Sequence, residues 1–353
     1  MKILLITVRS DFGGGPRHVD QLVKALPDDI DLYMAYPMGG DPYGKQWESN
    51  SRIKNTYHIP FRAFSFKALC GLCSFIKTNK IEIVHSHGNG AGFYSRLLKI
   101  MCPHIKVVHT FHGVSTNYES KIKQFVVKNS NRFLRYFTDA FICVSKGEEN
   151  IAFDYGYLQK EKTQVIYNGI PQCNLKRNIP SLPTIVTISR FDYQKNMDRC
   201  LEIVRKFVNY KVRFVWVGDG PDFERLKNTA VSEKLPIVFV GFSKCPMDYL
   251  TSSSIYLSTS RFEGLPYALI ESLSIGLPIV ATNVVGNNEV VIQGKSGYLY
   301  QTDDEAVVYI NQLLADDKLY NEFSENAKSF FISMFDEKTM VENLKKLYNK
   351  LDS

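Results

Sequence analysis

No stretch of this 353-residue chain is long and apolar enough to cross a bilayer. The opening Lys2-Ile3-Leu4-Leu5-Ile6-Thr7-Val8 is too short an apolar run for a secretion signal and runs into Arg9, so it reads as a first strand and the protein as cytoplasmic. The seven cysteines are odd in number and scattered from Cys70 to Cys245, which excludes a disulfide framework. Cys70-Gly-Leu-Cys73 has no second pair and lies in an apolar helical stretch, so it reads as buried thiols rather than a zinc or redox site. Internal repeats and low-complexity tracts are absent. So are Gly-x-Gly-x-x-Gly and the Walker lysine pattern, which disfavours dinucleotide and P-loop chemistry.

What is present is an ordinary globular composition, 44% hydrophobic and 22% charged, on a chain long enough for two domains. Charge is unevenly shared. Residues 1–172 hold 22 Lys+Arg against 14 Asp+Glu, a balance of +8, whereas the remainder holds 21 against 22, a balance of −1. All seven histidines lie at or before His112. A basic first half points to an anionic partner, and a membrane surface, a phosphorylated acceptor and nucleic acid all qualify. From Lys121 to Phe137 the chain is basic and aromatic. On a helical wheel Ile122, Phe125, Val126, Phe133, Tyr136 and Phe137 share a face, with Lys121, Lys128, Arg132 and Arg135 beside it. Arg62, Phe64, Phe66 and Lys67 form a second basic-aromatic patch. Both fit docking on an anionic leaflet, at about 1 kcal/mol per basic residue near the surface. An amphipathic core helix with a solvated basic edge gives the same pattern.

Strand-like and helix-like segments alternate throughout. Strands are expected at 3–8, 30–36, 53–59, 81–85, 107–110, 140–144 and 165–167, then at 184–189, 212–217, 237–240, 255–258 and 279–281. That alternation predicts two doubly wound parallel sheets, in which ligands gather at the carboxyl ends of strands. Gly13-Gly14-Gly15 follows the first strand and opens a helix, a geometry that lets backbone approach a phosphate. His85-Ser-His87-Gly88 and Thr110-Phe-His112-Gly113 stand at two further strand ends. His85 and His109 are expected on the opposite sides of their strands, in the core. Turn formers and prolines from Asn168 to Pro183 mark the domain boundary.

The most informative stretch is Arg261-Phe-Glu-Gly-Leu-Pro-Tyr-Ala-Leu-Ile-Glu271. It lies between a strand and a helix, with Glu263 in the loop and Glu271 one or two turns into the helix. The helix start offers free N–H groups and a positive dipole end to a phosphate. This Glu-x7-Glu followed by Gly-Leu-Pro resembles the signature of the family 4 retaining glycosyltransferases, which have the GT-B fold. The likeness extends to Arg190…Lys195-Asn196, where Ser189 stands in place of the usual glycine, to Gly218-Asp-Gly-Pro221, to Gly241-Phe242, and to Gly286-Asn-Asn-Glu289 and Gly297-Tyr298-Leu299.

The resemblance implies an N-terminal acceptor-binding domain over 1–172, a nucleotide-sugar-binding domain over 173–330, and a last helix within 331–353 that crosses back, the two domains facing a cleft. It implies transfer of a hexosyl unit from a nucleotide diphosphate sugar, UDP-linked, to a saccharide acceptor with retention, in cell-surface polysaccharide or glycan synthesis. Arg190 and Lys195, with the backbone of Gly264 and Leu265, would hold the diphosphate. Glu263 would hold the donor sugar, Glu271 the ribose and Phe242 the base. His112 would touch the donor sugar, Gly14 and Gly15 the diphosphate, and His87 with Gly15 the acceptor. Gly218 would line the donor site. No metal or other cofactor is implied: the sole Asp-x-Asp, Asp29-Ile-Asp31, opens a strand at the wrong end. The basic-aromatic surface suggests a lipid-linked or polyprenyl-diphosphate-linked acceptor at the inner leaflet, and no nucleic acid partner. Two other readings compete. A nicotinamide-dependent oxidoreductase lacks its glycine fingerprint, and a non-catalytic carbohydrate- or nucleic-acid-binding module leaves Arg190, Lys195, Glu263 and Glu271 without a task.

Overall fold

Period-two alternation in the first strand sets the architecture of the first half. In a computed structural model, which describes residues 1–39, 41–114, 120–173 and 175–352, Ile3 and Leu5 face one buried cluster and Leu4 and Ile6 face another. A strand buried on both faces needs helices on both. The chain supplies them in the order β1 (Lys2–Thr7), α1 (Gly14–Ala25), β2 (Asp31–Tyr36), α2 (Tyr43–Glu48), β3 (Ile53–His58), α3 (Phe66–Asn79), β4 (Ile83–His87), α4 (Gly88–Met101), β5 (Lys106–Thr110), α5 (Lys121–Leu134), β6 (Ala140–Cys143), α6 (Lys146–Asp154) and β7 (Thr163–Val165). All strand pairs are parallel and the order is β3-β2-β1-β4-β5-β6-β7.

The second half repeats the plan: β8 (Thr184–Ile188), α7 (Met197–Arg205), β9 (Arg213–Val217), α8 (Phe223–Ser232), β10 (Ile237–Gly241), α9 (Pro246–Thr251), β11 (Ile255–Ser258), α10 (Tyr267–Ser274), β12 (Ile279–Thr282), α11 (Asn287–Val290), β13 (Gly297–Tyr300), α12 (Asp303–Ala315) and α13 (Asp317–Met334). Its parallel sheet runs β10-β9-β8-β11-β12-β13. An aromatic core of Phe191, Phe214 and Trp216 fills the face under α7, α8 and α12. A capping box, Thr302 with Glu305, starts α12. The last helix, α14 (Glu337–Asp352), lays Met340, Leu344, Leu347 and Tyr348 into the same cluster as Ile3 and Leu5. The compact units are accordingly Met1–Asn168 with Glu337–Ser353, and Gly169–Asp336.

Two expectations need correction. The strand expected over 81–85 runs on to His87, which pairs with Thr7 on β1 and with Thr110 on β5. His85 therefore does not point away from His87. Residues two apart on a strand share a face, and the two rings lie 4.2 Å apart. His85 is nonetheless core, its ring bonded to Tyr348 Oη (2.6 Å) and Thr110 Oγ1 (2.7 Å).

Candidate active site

In each sheet the strand order reverses beside its first strand, between β1 and β4 and between β8 and β11. The carboxyl ends at such a switch point open a crevice. In each unit the candidate residues lie at its own switch point.

In the first unit Gly14 and Gly15 are the first residues of α1, so the helix begins earlier than the periodicity from His18 predicts. Gly15 keeps backbone close to an imidazole: a methyl group there would stand 3.7 Å from His112 Cδ2. His87 ends β4, His112 follows β5, and His87 Nδ1 lies 3.2 Å from His112 Nε2. A third ring joins them from α1. His18 lies 4.9 Å from the His112 ring and 5.5 Å from that of His87. Burial dominates their protonation. It pushes His18 down to about 4. Burial also holds His87 well below the usual imidazole range, with the neighbouring rings adding repulsion. His112 is lowered well below that range too, by burial first and then by repulsion from His18 and His85. These histidines are neutral near pH 7. His109 lies on the other face of the sheet, bonded to Ser86 Oγ at 3.0 Å.

In the second unit the loop after β8 carries Arg190 and Lys195. Its end is fixed: Asn196 adopts a left-handed conformation (φ 53°), and Thr259 Oγ1 donates to the carbonyls of Lys195 and Asn196. Lys195 Nζ thereby meets Glu263 Oε1 at 2.6 Å. The same oxygen accepts from Ser260 Oγ at 2.6 Å, and Gln194 Nε2 reaches Oε2 at 3.3 Å. Glu263 is almost enclosed, and its backbone N–H donates to the Val285 carbonyl. Arg190, half exposed, pairs with Asp192 at 2.9 Å. Gly264 and Leu265 lie just before α10, and Glu271 is buried within it. Burial raises the Tyr256 hydroxyl well above its usual range, with the Glu263 and Glu271 carboxylates adding to the shift, so the phenol donates to the Ile188 carbonyl as a neutral group. Phe242 stands exposed after β10. Gly218 is required by packing. A side-chain carbon there would fall 1.8 Å from the Ser189 carbonyl oxygen, and its φ of 132° disfavours any other residue.

The basic-aromatic surface takes a definite form. Ile122 and Phe125 on α5 are 77% and 69% exposed, and Phe66 is 68% exposed, so this is no core helix. Its basic residues are partly engaged: Lys128 lies 4.9 Å over the Tyr155 ring, and Arg132 and Arg135 donate to the carbonyls of Tyr155 and Gly156. Beside α5 a mostly apolar cavity of about 390 Å³ is lined by Arg62, Phe64, Phe93, Tyr94, Val126 and Leu134, among others. Among the described residues no helix is long and apolar enough to cross a membrane.

The structure thus brings Lys195 to Glu263 and His87 to His112, and it adds residues the sequence reading passed over. Ser260 and Gln194 complete the Glu263 environment. Gly286 allows the next loop to touch it, since a side chain there would fall 2.7 Å from Glu263 Cβ. His18 had a signal, one helical turn after the glycine run, but the apolar periodicity of α1 masked it.

Comparison with known proteins agrees with this fold. The model for glycosyl transferases group 1 matches residues 176–330, and that for glycosyltransferase family 4 matches residues 12–172. The chain is 28% identical over 305 residues to an Escherichia coli UDP-Gal:alpha-D-GlcNAc-diphosphoundecaprenol alpha-1,3-galactosyltransferase, covering 80% of this chain and 79% of that one. It is 24% identical over 307 residues to the Staphylococcus aureus capsular polysaccharide biosynthesis glycosyltransferase CapH, covering 82% and 83%. The fold matches that of Anabaena HepE, solved with UDP and glucose, at a TM-score of 0.84 and 18% identity over 99% of both chains. Two parallel α/β units of this kind define a GT-B glycosyltransferase, an enzyme of the glycosyl-transferring class. The chain belongs to the glycosyl transferases group 1, with a family 4 first half. That membership displaces the oxidoreductase and binding-module readings.

Proposed function

We propose that this enzyme moves a hexosyl unit from a UDP-sugar to a lipid-linked saccharide acceptor, with retention and without a metal, in the synthesis of a cell-surface polysaccharide. The observation that carries the reading is the Lys195–Glu263 pair, held at the β8/β11 switch point just before the start of α10. Lys195, Arg190 and the N–H groups of Gly264 and Leu265 bind the diphosphate and stabilise the charge it gains as it leaves. They do the work a divalent cation would otherwise do. Glu263 receives the donor-sugar hydroxyls, Glu271 the ribose diol, and Phe242 the base. His112 contacts the donor sugar, Gly14 and Gly15 the diphosphate, and His87 with Gly15 the acceptor. Gly218 shapes the donor site by its close approach to Ser189.

The donor reading is tested by thermal stabilisation with a panel of UDP-, GDP- and ADP-sugars. A ligand at 100 times its Kd adds about 2.7 kcal/mol, which shifts the midpoint by several degrees. UDP-sugars are expected to give the shift, and Glu271→Ala to lose most of it. A shift with another nucleotide alone renames the base. No shift with any nucleotide removes the reading.

We also propose that the exposed face of α5 and the segment around Phe64 and Phe66 dock on the anionic inner leaflet, which brings the lipid-linked acceptor to the adjacent apolar cavity. Support comes from the E. coli relative, named for an alpha-D-GlcNAc-diphosphoundecaprenol substrate, and from the exposure of Ile122, Phe125 and Phe66. In flotation assays, recovery with vesicles holding anionic lipid is expected to exceed that with neutral vesicles, and Phe125→Ser with Ile122→Ser to abolish the difference. Equal recovery from both vesicle types counts against docking.

A further inference from the structure

We propose that His18, His87 and His112 form a binding site for one borderline transition-metal ion, Zn2+ being the best fit. Three imidazoles come from three separate elements, α1, the end of β4 and the loop after β5, and their nearest nitrogens all lie within 4.8 Å of one another. Two nitrogens bound to one tetrahedral Zn2+ at about 2.05 Å must lie roughly 3.3 Å apart. His87 Nδ1 and His112 Nε2 are already at 3.2 Å. His18 completes the set from α1, its ring 4.9 Å from that of His112.

The chemistry of the surroundings favours the ion over a chain of hydrogen bonds. Neutral imidazole suits Zn2+, Cu2+ and Ni2+, and an all-nitrogen set disfavours Mg2+ and Ca2+. His87 Nε2 is buried without a hydrogen-bond partner, so the ring's one polar contact is the Nδ1 approach to His112 that an ion would bridge. Gly15 leaves room beside His112. No carboxylate or thiolate belongs to the group, so three protein ligands leave a fourth position open. In contrast to a structural zinc site, this one would exchange its ion and accept an anionic oxygen.

Binding itself does not depend on the transferase reading. One consequence does: an ion on His112 occupies the ring proposed to contact the donor sugar, so Zn2+ inhibits transfer and a chelator restores it.

The test uses untagged full-length protein and Co2+ as the spectroscopic probe. One Co2+ per chain is expected, with the strong visible bands of tetrahedral coordination, bleached by one equivalent of Zn2+. His18→Gln and His112→Gln are each expected to weaken Co2+ binding at least tenfold, whereas His104→Gln, an exposed histidine outside the group, leaves it unchanged. Circular dichroism and a cooperative thermal transition establish that the variants are folded. His112→Gln, at a partly exposed loop, keeps the test valid should His18→Gln fail to fold. The proposal is overturned if wild type takes up no stoichiometric Co2+, or if the bands and affinity persist in both variants. Retained UDP-sugar binding without Co2+ binding defeats the metal site and spares the transferase. Co2+ binding without any nucleotide shift does the reverse. Zn2+ inhibition shifted to at least tenfold higher concentration in His18→Gln ties the ion to the donor-facing ring.

Discussion

Acidification from pH 7 toward pH 5 is expected to unfold the first unit in a single cooperative transition. Four histidines there, His18, His85, His87 and His109, are buried. Burial lowers all four, His18 to about 4 and the other three well below their usual range, with Arg96 adding to the effect on His109. The sign follows from proton counting. A folded pKa below the unfolded value of 6.5 means the unfolded chain binds more protons at acid pH. Stability from these groups is complete above pH 6.5 and is lost as pH falls from 6.5 through the folded values. Each linked proton changes stability by about 1.4 kcal/mol per pH unit. All four losses run in the same direction and fall on one unit of marginal stability. Protonating them within the fold offers no escape, since neighbouring imidazolium ions repel in a low dielectric. Far-UV circular dichroism against pH checks this, together with the histidine C2–H resonances. A flat signal down to pH 4, or resonances of these four rings titrating near 6.5 in the folded protein, defeats it. His85→Leu, which removes one buried titrating ring, shifts the midpoint to lower pH if it keeps the fold.

The same histidines show what the sequence disclosed and what it withheld. His87 and His112 stood out because each precedes a glycine at a strand end, and strand ends are where doubly wound sheets gather ligands. The expected strands rest on runs such as Ile3 to Val8, and the structure departs from them by one or two residues at most ends. Beyond β4 the shift mattered, because adding His87 to the strand exposed the error over His85. His18 escaped notice because a helix residue is placed by periodicity, and periodicity says nothing of what faces it across a loop. Ser260 and Gln194 escaped for a related reason. A serine and a glutamine in loops carry no pattern, and it takes the left-handed turn at Asn196 and the Thr259 bonds to bring the Lys195 loop to Glu263. The exposure of α5 was undecidable from its wheel, since core and interfacial helices share one moment. It is decided by what the fold leaves uncovered.

Lys195→Ala is expected to lower kcat by about 10²–10³ with a much smaller change in KM for the donor, the loss seen when one fixed donor to a developing anion is removed. Stability should fall too. Glu263 is nearly enclosed, and Lys195 supplies its only ion pair among the described residues. Removing one partner of a buried pair costs about 3–5 kcal/mol because the other charge stays behind, here softened by Ser260 and Gln194 and by the partial exposure of Lys195. The two effects separate in the double variant. Adding Glu263→Gln to Lys195→Ala removes the stranded charge, so the thermal midpoint recovers while transfer does not. Arg190→Ala provides the contrast. Its pair with Asp192 is half exposed, so stability should hardly move even as transfer falls. If the double variant recovers activity along with its midpoint, Lys195 is a structural lysine and the diphosphate is held elsewhere. If Lys195→Ala alone leaves kcat within a factor of about three, well short of the loss a fixed donor predicts, the leaving-group role is refuted. The midpoint reports on the pair, kcat reports on the leaving group, and only a lysine with both tasks moves the two independently.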